Sequence, residues 1–264
     1  MSGSRMAQLF LRYASPFAGM RQWPWVGPIV SRLSRRLVPR DSLVWAQVQR
    51  GHAAGIWLQL NPRTGRAVLE GNGKAQVQTA LVERLAPGMT LYDVGANIGF
   101  FSLLAARLVG PSGRVVAFEA DPEIAARLRT NAAKNGFSWI AVEHQAVCAQ
   151  SGEVFFQRAD VAESPDRGVG HVVTAEDAGT IRVSGMSRDD HLQLGPAPDF
   201  VKCDVEGAEL EVFRGASRLL KQNRPIVLCE MHCEENSRVL RRQFDELGYA
   251  CRMLDETHLL ALPQ

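Results

Sequence analysis

Asp204, Glu206, Glu230 and His232 are the side chains in this sequence best placed to move a proton. They end or follow two short apolar runs, Asp199-Phe-Val-Lys-Cys-Asp204 and Pro225-Ile-Val-Leu-Cys-Glu-Met231. Runs of that length and composition read as buried strands. A carboxylate or imidazole just beyond a strand can take the proton of an alcohol, and only the imidazole has an ordinary pKa near neutrality. An acid ending a buried strand has few structural reasons to be there, which favours a working role for Asp204. Glu206 has two open readings: catalysis, or capping of the helix that follows. His232 reads either as a base or as a structural histidine. The expected catalytic set is Asp204, Glu206 and His232. Asp204, Glu206 and Glu230 also offer oxygens that suit magnesium, a metal the spacing permits without requiring; no metal ligand is assigned.

A second group of residues points to a nucleoside-bearing ligand. Leu91-Tyr-Asp-Val-Gly-Ala-Asn-Ile-Gly99 reads as strand and glycine turn, and Phe100-Phe-Ser-Leu-Leu-Ala-Ala-Arg-Leu108 as the helix after it. Such a turn brings backbone amides and a helix N-terminus to a ligand. Val115-Val-Ala-Phe-Glu119 is the next strand, and its terminal acid is placed to accept from a ribose diol. Dinucleotide turns read G-x-G-x-x-G, whereas Asn97 stands here where the second glycine would be. Asp93 before the turn would repel a pyrophosphate and suit an ammonium. S-adenosylmethionine, with an ammonium and a sulfonium and no phosphate, is therefore the expected cofactor, its carboxylate facing the turn amides. The expected cofactor residues are Asp93, Gly95, Asn97, Gly99, Glu119, the neighbouring Ala120, Gln145 on the third strand, and Asp204. A nicotinamide oxidoreductase is disfavoured by the same turn.

The elements that must position these groups alternate along the chain. Strands are expected at 90–94, 114–119, 140–147, 199–204 and 225–231. Helices are expected over 75–86, 99–109 and from Asp121-Pro122, where Asp121 suits the N-cap and Pro122 the first helical position. Alternation of this kind implies a parallel sheet with helices on both faces. Strands near 249–254 and 258–262, separated by Asp255-Glu256-Thr257, must be antiparallel neighbours. Ile56–Leu60 and Arg66–Glu70 are expected to pair as a hairpin. Residues 157–190 break the rhythm and read as an insertion or acceptor lid, in which Arg158, Arg167, His171, Arg182 and Arg188 suit a polar or anionic acceptor. The expected organisation is a basic arm over 1–50, a hairpin and helix packed on the core over 51–86, and a catalytic domain over 87–264.

The chain has 264 residues and a net charge of +2. Residues 1–40 carry seven arginines and no acid. That arm reads as a terminal extension, or as an amphipathic contact with a membrane or an acidic partner. Five cysteines without a pairing pattern point to a reducing, cytoplasmic compartment. No apolar run approaches the length that spans a bilayer.

The sequence resembles the FkbM-type family of S-adenosylmethionine-dependent methyltransferases from about Pro87 to Pro263. The resemblance is carried by Asp93-Val-Gly-Ala-Asn-Ile-Gly99, Phe118-Glu-Ala-Asp-Pro122, Asn131-Ala-Ala-Lys-Asn135, Val201-Lys-Cys-Asp-Val-Glu-Gly-Ala-Glu209 and Cys229-Glu-Met-His232. It implies the seven-stranded class I methyltransferase fold, Rossmann-like, with an antiparallel C-terminal hairpin and here a small N-terminal extension. It also implies O-methylation of a hydroxyl on a sugar, glycoside or polyketide-like acceptor. Two places depart from the family's pattern: Gly71-Asn-Gly-Lys74, where an acid is usual, and Met186-Ser-Arg-Asp-Asp-His191, where a Leu-Asp pair is usual. The alternatives are a nucleic-acid or protein methyltransferase, or a non-catalytic cofactor-binding module. Nucleic acid is disfavoured because Asp204-Val-Glu-Gly207 would repel a phosphate backbone.

Overall fold

The computed structural model describes residues 42–61, 65–159 and 170–264, which fall into two compact units, one up to Gly73 and one from Lys74 onward. The basic arm over 1–40 lies outside the described residues.

In the first unit, strand β1 (Val44–Gln47) pairs antiparallel with β2 (Trp57–Leu60), Val44 opposite Leu60. Val44, Leu58 and Leu60 alternate with more exposed neighbours and are buried, as a one-sided ribbon requires. The expected hairpin partner, Arg66–Glu70, is not a strand. Arg66–Leu69 is one turn of helix, α1, with Arg66 paired to Glu70 four residues on at 2.6 Å. That i,i+4 pair supports helix, and Gly71 at φ 74 allows the chain to leave it. The true partner of β2 lies within the stretch assigned to the arm, across a nine-residue connection rather than the five-residue turn that local reasoning favoured.

The second unit begins with helix α2 (Ala75–Arg84) and then alternates: β3 (Thr90–Val94), α3 (Phe100–Val109), β4 (Arg114–Glu119), α4 (Pro122–Lys134) and β5 (Ile140–His144). The Asp121 side chain accepts from the amides of Glu123 (2.8 Å) and Ile124 (3.2 Å), with Pro122 at the first helical position. The alternation resumes with β10 (Phe200–Cys203), α6 (Glu209–Arg214), β11 (Ile226–Glu230), α7 (Glu234–Glu246), β12 (Tyr249–Met253) and β13 (His258–Pro263). Between the two runs lie β6 (Ala146–Val147), β7 (Gly152–Gln157), β8 (His171–Val173), β9 (Thr180–Met186) and α5 (Arg188–His191).

The main sheet has the order β12-β13-β11-β10-β3-β4-β5, and β13 runs antiparallel to both its neighbours. This is the class I methyltransferase sheet. Its order reverses about β3, with β4 and β5 on one side and β10 and β11 on the other. Open α/β sheets bind ligands beyond the carboxyl ends of the strands at such a reversal. The core over one face includes Tyr92, Val94, Phe118, Val201, Cys203, Phe213 and Phe244. The stretch expected as one strand over 140–147 divides at Gln145: β5 stays in the main sheet, and β6 opens a second sheet of order β6-β9-β7-β8. That second sheet takes in β8 and β9 from the region read as an insertion; residues 160–169 of it lie outside the described residues.

Candidate active site

The turn after β3 is held by its own backbone. Gly95 and Ala96 donate to the Phe118 carbonyl at 3.1 and 3.0 Å, and Gly99 donates to Ala96 O at 3.0 Å. Asn97 takes a left-handed φ of 50°, a conformation asparagine tolerates better than most residues. Its side-chain oxygen accepts the Ile98 amide at 2.6 Å. Buried Asn131 donates from α4 to the Ile98 carbonyl at 2.8 Å. The amides of residues 95–99 are thus used internally, so the expectation that they face a ligand carboxylate is corrected. The first-turn amides of α3 have no carbonyl within the helix to bond and are the donors left beyond the turn. Gly95 is required sterically: at φ 73 a Cβ there would stand 1.9 Å from the Asp204 carbonyl oxygen. The cofactor turn and the end of β10 are therefore back to back.

Glu119 ends β4 beside this turn. One carboxylate oxygen accepts the Asn97 amide and the other the Asp121 amide, each at 2.8 Å. Burial pushes the carboxyl up to about 7, against the pull of those two amide bonds. Each oxygen keeps lone-pair capacity toward a diol. Gln145, where β5 gives way to β6, is buried, and its Oε1 has no hydrogen-bond partner among the described residues. An orphan acceptor of that kind suits an amine such as that of adenine. Ala120, next to Glu119, is half-buried. These features fit an adenosine-bearing cofactor.

Asp93 is placed differently from the expectation. It has no exposed surface; its carboxylate accepts from Ser102 Oγ at 2.5 Å and pairs with Lys202 Nζ at 3.0 Å. Register explains the pair, since Asp93 and Lys202 are directly opposed on parallel neighbours β3 and β10. The carboxylate is thus committed within the sheet and does not reach a ligand's ammonium. Lys202 also approaches Asp204 at 3.4 Å and donates to Gly95 O at 3.2 Å. Burial alone would lower its pKa; Asp93 and Asp204 outweigh that and hold it raised.

At the ends of β10 and β11, Asp204 Oδ2 lies 2.9 Å from Lys74 Nζ, and the same ammonium pairs with Glu230 Oε2. Burial works against the Asp204 charge, but Lys202 and Lys74 outweigh it and hold the carboxyl well below the usual range. So acidic a carboxyl is a weak proton acceptor. Glu230 faces His258 Nε2 at 3.7 Å, and His258 Nδ1 is held by Asp255 at 2.8 Å. Burial depresses His258, and Glu230 and Asp255 raise it beyond that loss.

His232 lies just beyond β11. Its Nδ1 is 2.6 Å from Glu209 Oε1, and its Nε2 is 3.4 Å from Glu206 Oε2. Glu209 is fully buried and also accepts from Gly207 N (3.1 Å) and Asn236 Nδ2 (3.1 Å). Burial lowers the His232 pKa, but the Glu209 bond and the charge of Glu206 raise it above the ordinary value. The Glu206 carboxyl is itself raised by burial, with His232 opposing. Of its two readings, capping is not what the structure shows: α6 has Ala208 at its N-cap position and no side-chain cap.

The structure brings Asp204, Glu206 and His232 together beyond the strand ends, with Glu230. It adds Glu209, Lys74 and His258, to which sequence reasoning gave no role. Glu209 closed the most specific motif, and Lys74 sat in a departure from the family pattern; those were the available signals. The arginines expected to meet an acceptor are used elsewhere. Arg158 binds Asp121 and Glu123, each at 2.8 Å; Arg182 binds Glu176 at 3.2 Å; Arg188 is buried over the Phe118 ring. Arg167 lies outside the described residues.

Residues 93–251 match the family described as Methyltransferase FkbM domain. The hexuronic acid methyltransferase AglP of Haloferax volcanii is 30% identical over 184 residues, covering 69% of this chain and 72% of that protein. An arsenite methyltransferase of Halobacterium salinarum is 32% identical over 128 residues, covering 46% of this chain and 32% of that protein. Among solved structures, a methyltransferase FkbM from Methylobacillus flagellatus KT superposes with a TM-score of 0.49 at 20% identity, over 67% of this chain and 44% of that one. No helix among the described residues is long and apolar enough to cross a membrane.

Proposed function

Because the chain belongs to the FkbM family of S-adenosylmethionine-dependent methyltransferases, we propose that it methylates a hydroxyl of a small polyhydroxylated acceptor such as a sugar, a glycoside or a polyketide-like product. The observation that carries this reading is the buried Glu209 holding His232 at 2.6 Å, with the other imidazole nitrogen 3.4 Å from Glu206. The similarity to a hexuronic acid methyltransferase supports a saccharide acceptor.

The cofactor supplies an electrophilic methyl group. Glu119 would accept from the ribose hydroxyls and Gln145 Oε1 from the adenine amine, and the turn of Gly95, Asn97 and Gly99 would shape the seat, with Ala120 alongside. Asp93 acts on this seat indirectly, by fixing Lys202 beneath the Gly95 carbonyl. Glu209 takes the His232 Nδ1 proton in a hydrogen bond and leaves Nε2 to accept the proton of the acceptor hydroxyl. Glu206 holds that hydroxyl from the other side. Asp204, kept anionic by two lysines, accepts hydrogen bonds from the acceptor rather than its proton. Asp204, Glu206 and Glu230 favour a neutral polyol over a phosphodiester.

A base of this kind contributes roughly 10²–10⁴-fold. It must be neutral to work, so kcat/KM should rise with pH through a pKa above the ordinary histidine value of 6.5. Screening sugars and glycosides with labelled cofactor identifies the acceptor. On that acceptor, His232→Gln should abolish the acidic limb and lower kcat, and Glu209→Gln should move the limb to lower pH. With cofactor saturating at every pH, a limb that stays in place in His232→Gln sinks the assignment of the base.

A further inference from the structure

We propose that the Lys74 ammonium is the resident cation of the acceptor face: it fills the place a divalent ion would take between Asp204 and Glu230, and so makes methyl transfer by this chain independent of metal. The inference rests on the methyl-transfer reading for its consequence, but its physical core is a competition for two carboxylates.

Asp204, Glu230 and His232 offer one ligand atom each, and these atoms all lie within 4.8 Å of one another. Two carboxylate oxygens and an imidazole nitrogen so close would suit a divalent cation. In this chain the Asp204 Oδ2 and Glu230 Oε2 atoms share the Lys74 ammonium instead. A divalent ion taking those same two oxygens would have to share them with the Lys74 ammonium, and the two cations would repel across them. Ion and ammonium are therefore mutually exclusive occupants.

The backbone of Lys74 is committed to this placement. Its φ of 47° lies in the left-handed region, which lysine rarely adopts, at the N-cap position of α2. The two acids come from adjacent parallel strands, Cys203 opposite Cys229, so their carboxylates project side by side. Like charges at that spacing either share a proton or take a cation between them, and here the cation is Lys74. Lys202 cannot serve both, because it is buried between Asp93 and Asp204. His258 meets Glu230 at 3.7 Å but is held by Asp255 on its other nitrogen, so Lys74 is the side chain that bridges Glu230 to Asp204. It is a positioning residue, one that fixes the directions of the two carboxylates facing the acceptor.

Manganese titration followed by electron paramagnetic resonance tests this on the full chain without any acceptor. Wild type and Lys74→Arg should bind Mn²⁺ weakly. Lys74→Met should bind at least about tenfold more tightly, in the range usual for coupling between competing ligands, and its melting temperature should rise with added Mn²⁺ where that of wild type does not. Wild-type methyl transfer should survive EDTA. The inference is overturned if wild type binds Mn²⁺ as tightly as Lys74→Met, or if EDTA removes wild-type activity and Mg²⁺ or Mn²⁺ restores it. The wild-type measurements decide the matter even if Lys74→Met does not fold. Metal binding is read independently of turnover, so failure to methylate any hydroxyl would count against the functional reading and leave this one standing.

Discussion

Glu119 and Arg188 show how a single side chain carries a burial cost for different ends. Glu119 is raised from an ordinary 4.5 to about 7, burial being the larger effect and its two amide bonds opposing it. Ribose hydroxyls donate better to the carboxylate than to the acid, so cofactor binding favours the deprotonated form. Affinity for S-adenosylhomocysteine should therefore climb between pH 6 and 8, measured by calorimetry, and should be flat and at least about tenfold weaker in Glu119→Gln. The sign for stability is the reverse. A folded-state carboxyl pKa above its unfolded value means the folded protein holds the extra proton, so Glu119 makes the cofactor-free protein less stable as pH rises from 4.5 toward 7. Arg188 has no such use in the site. It is fully buried, burial lowers its pKa to about 10, and its Nε and Nη1 find no partner among the described residues. Unmet buried donors cost ~1–3 kcal/mol each, against about 2 kcal/mol returned by the guanidinium standing 3.7 Å over Phe118. Arg188→Met should stabilise the protein by about 1–2 kcal/mol, a rise of several degrees in melting temperature.

At the scale of elements, the register between β3 and β10 builds the floor of the site. Opposing Asp93 to Lys202 puts a buried ion pair under the glycine turn, and the next same-side residue on the β10 path is Asp204. Removing one member of such a pair leaves an uncompensated buried charge. Lys202→Met should destabilise by about 3–5 kcal/mol in urea denaturation, and the double variant Asp93→Asn, Lys202→Met should cost less than the two single changes together. Additive costs would show that the two side chains do not act as a pair. The elements around that pair were legible in the sequence. Strands 90–94 and 114–119, the Asp121-Pro122 helix start and the C-terminal hairpin all lie where periodicity and capping residues put them, because those signals act within a few residues. At the N-terminal end, Arg66–Glu70 has apolar residues that suit a strand, yet it forms a helical turn with an i,i+4 ion pair, and β2 pairs with the more distant β1 instead.

At the scale of the molecule, charges alternate across the strand ends from Asp255 through His258, Glu230, Lys74, Asp204 and Lys202 to Asp93. The row crosses β13, β11, β10 and β3, and Lys74 reaches it from the start of α2. No stretch of sequence contains it. Lys74 is 130 residues from Asp204 and 156 from Glu230. The sheet order makes them neighbours by setting β10 beside β3 and closing β11 with β13.

From Thr90 to His144 and from Phe200 to Pro263 the succession of elements, and with it the class I fold and the kind of cofactor, can be read in the amino-acid sequence. A strand, a turn with Asn97 in place of glycine, and an acid on the next strand are local patterns, and local sterics and hydrogen bonding enforce them wherever they occur. Only the tertiary structure decided how each charged group is used. It turned Asp93 inward to Lys202, took Glu206 away from the helix cap, gave His232 its partner in Glu209, and spent Arg158 and Arg182 on acids outside the site. The pKa and availability of a charged side chain depend on burial and on the nearest opposite charge, and both are set by which distant segments pack together.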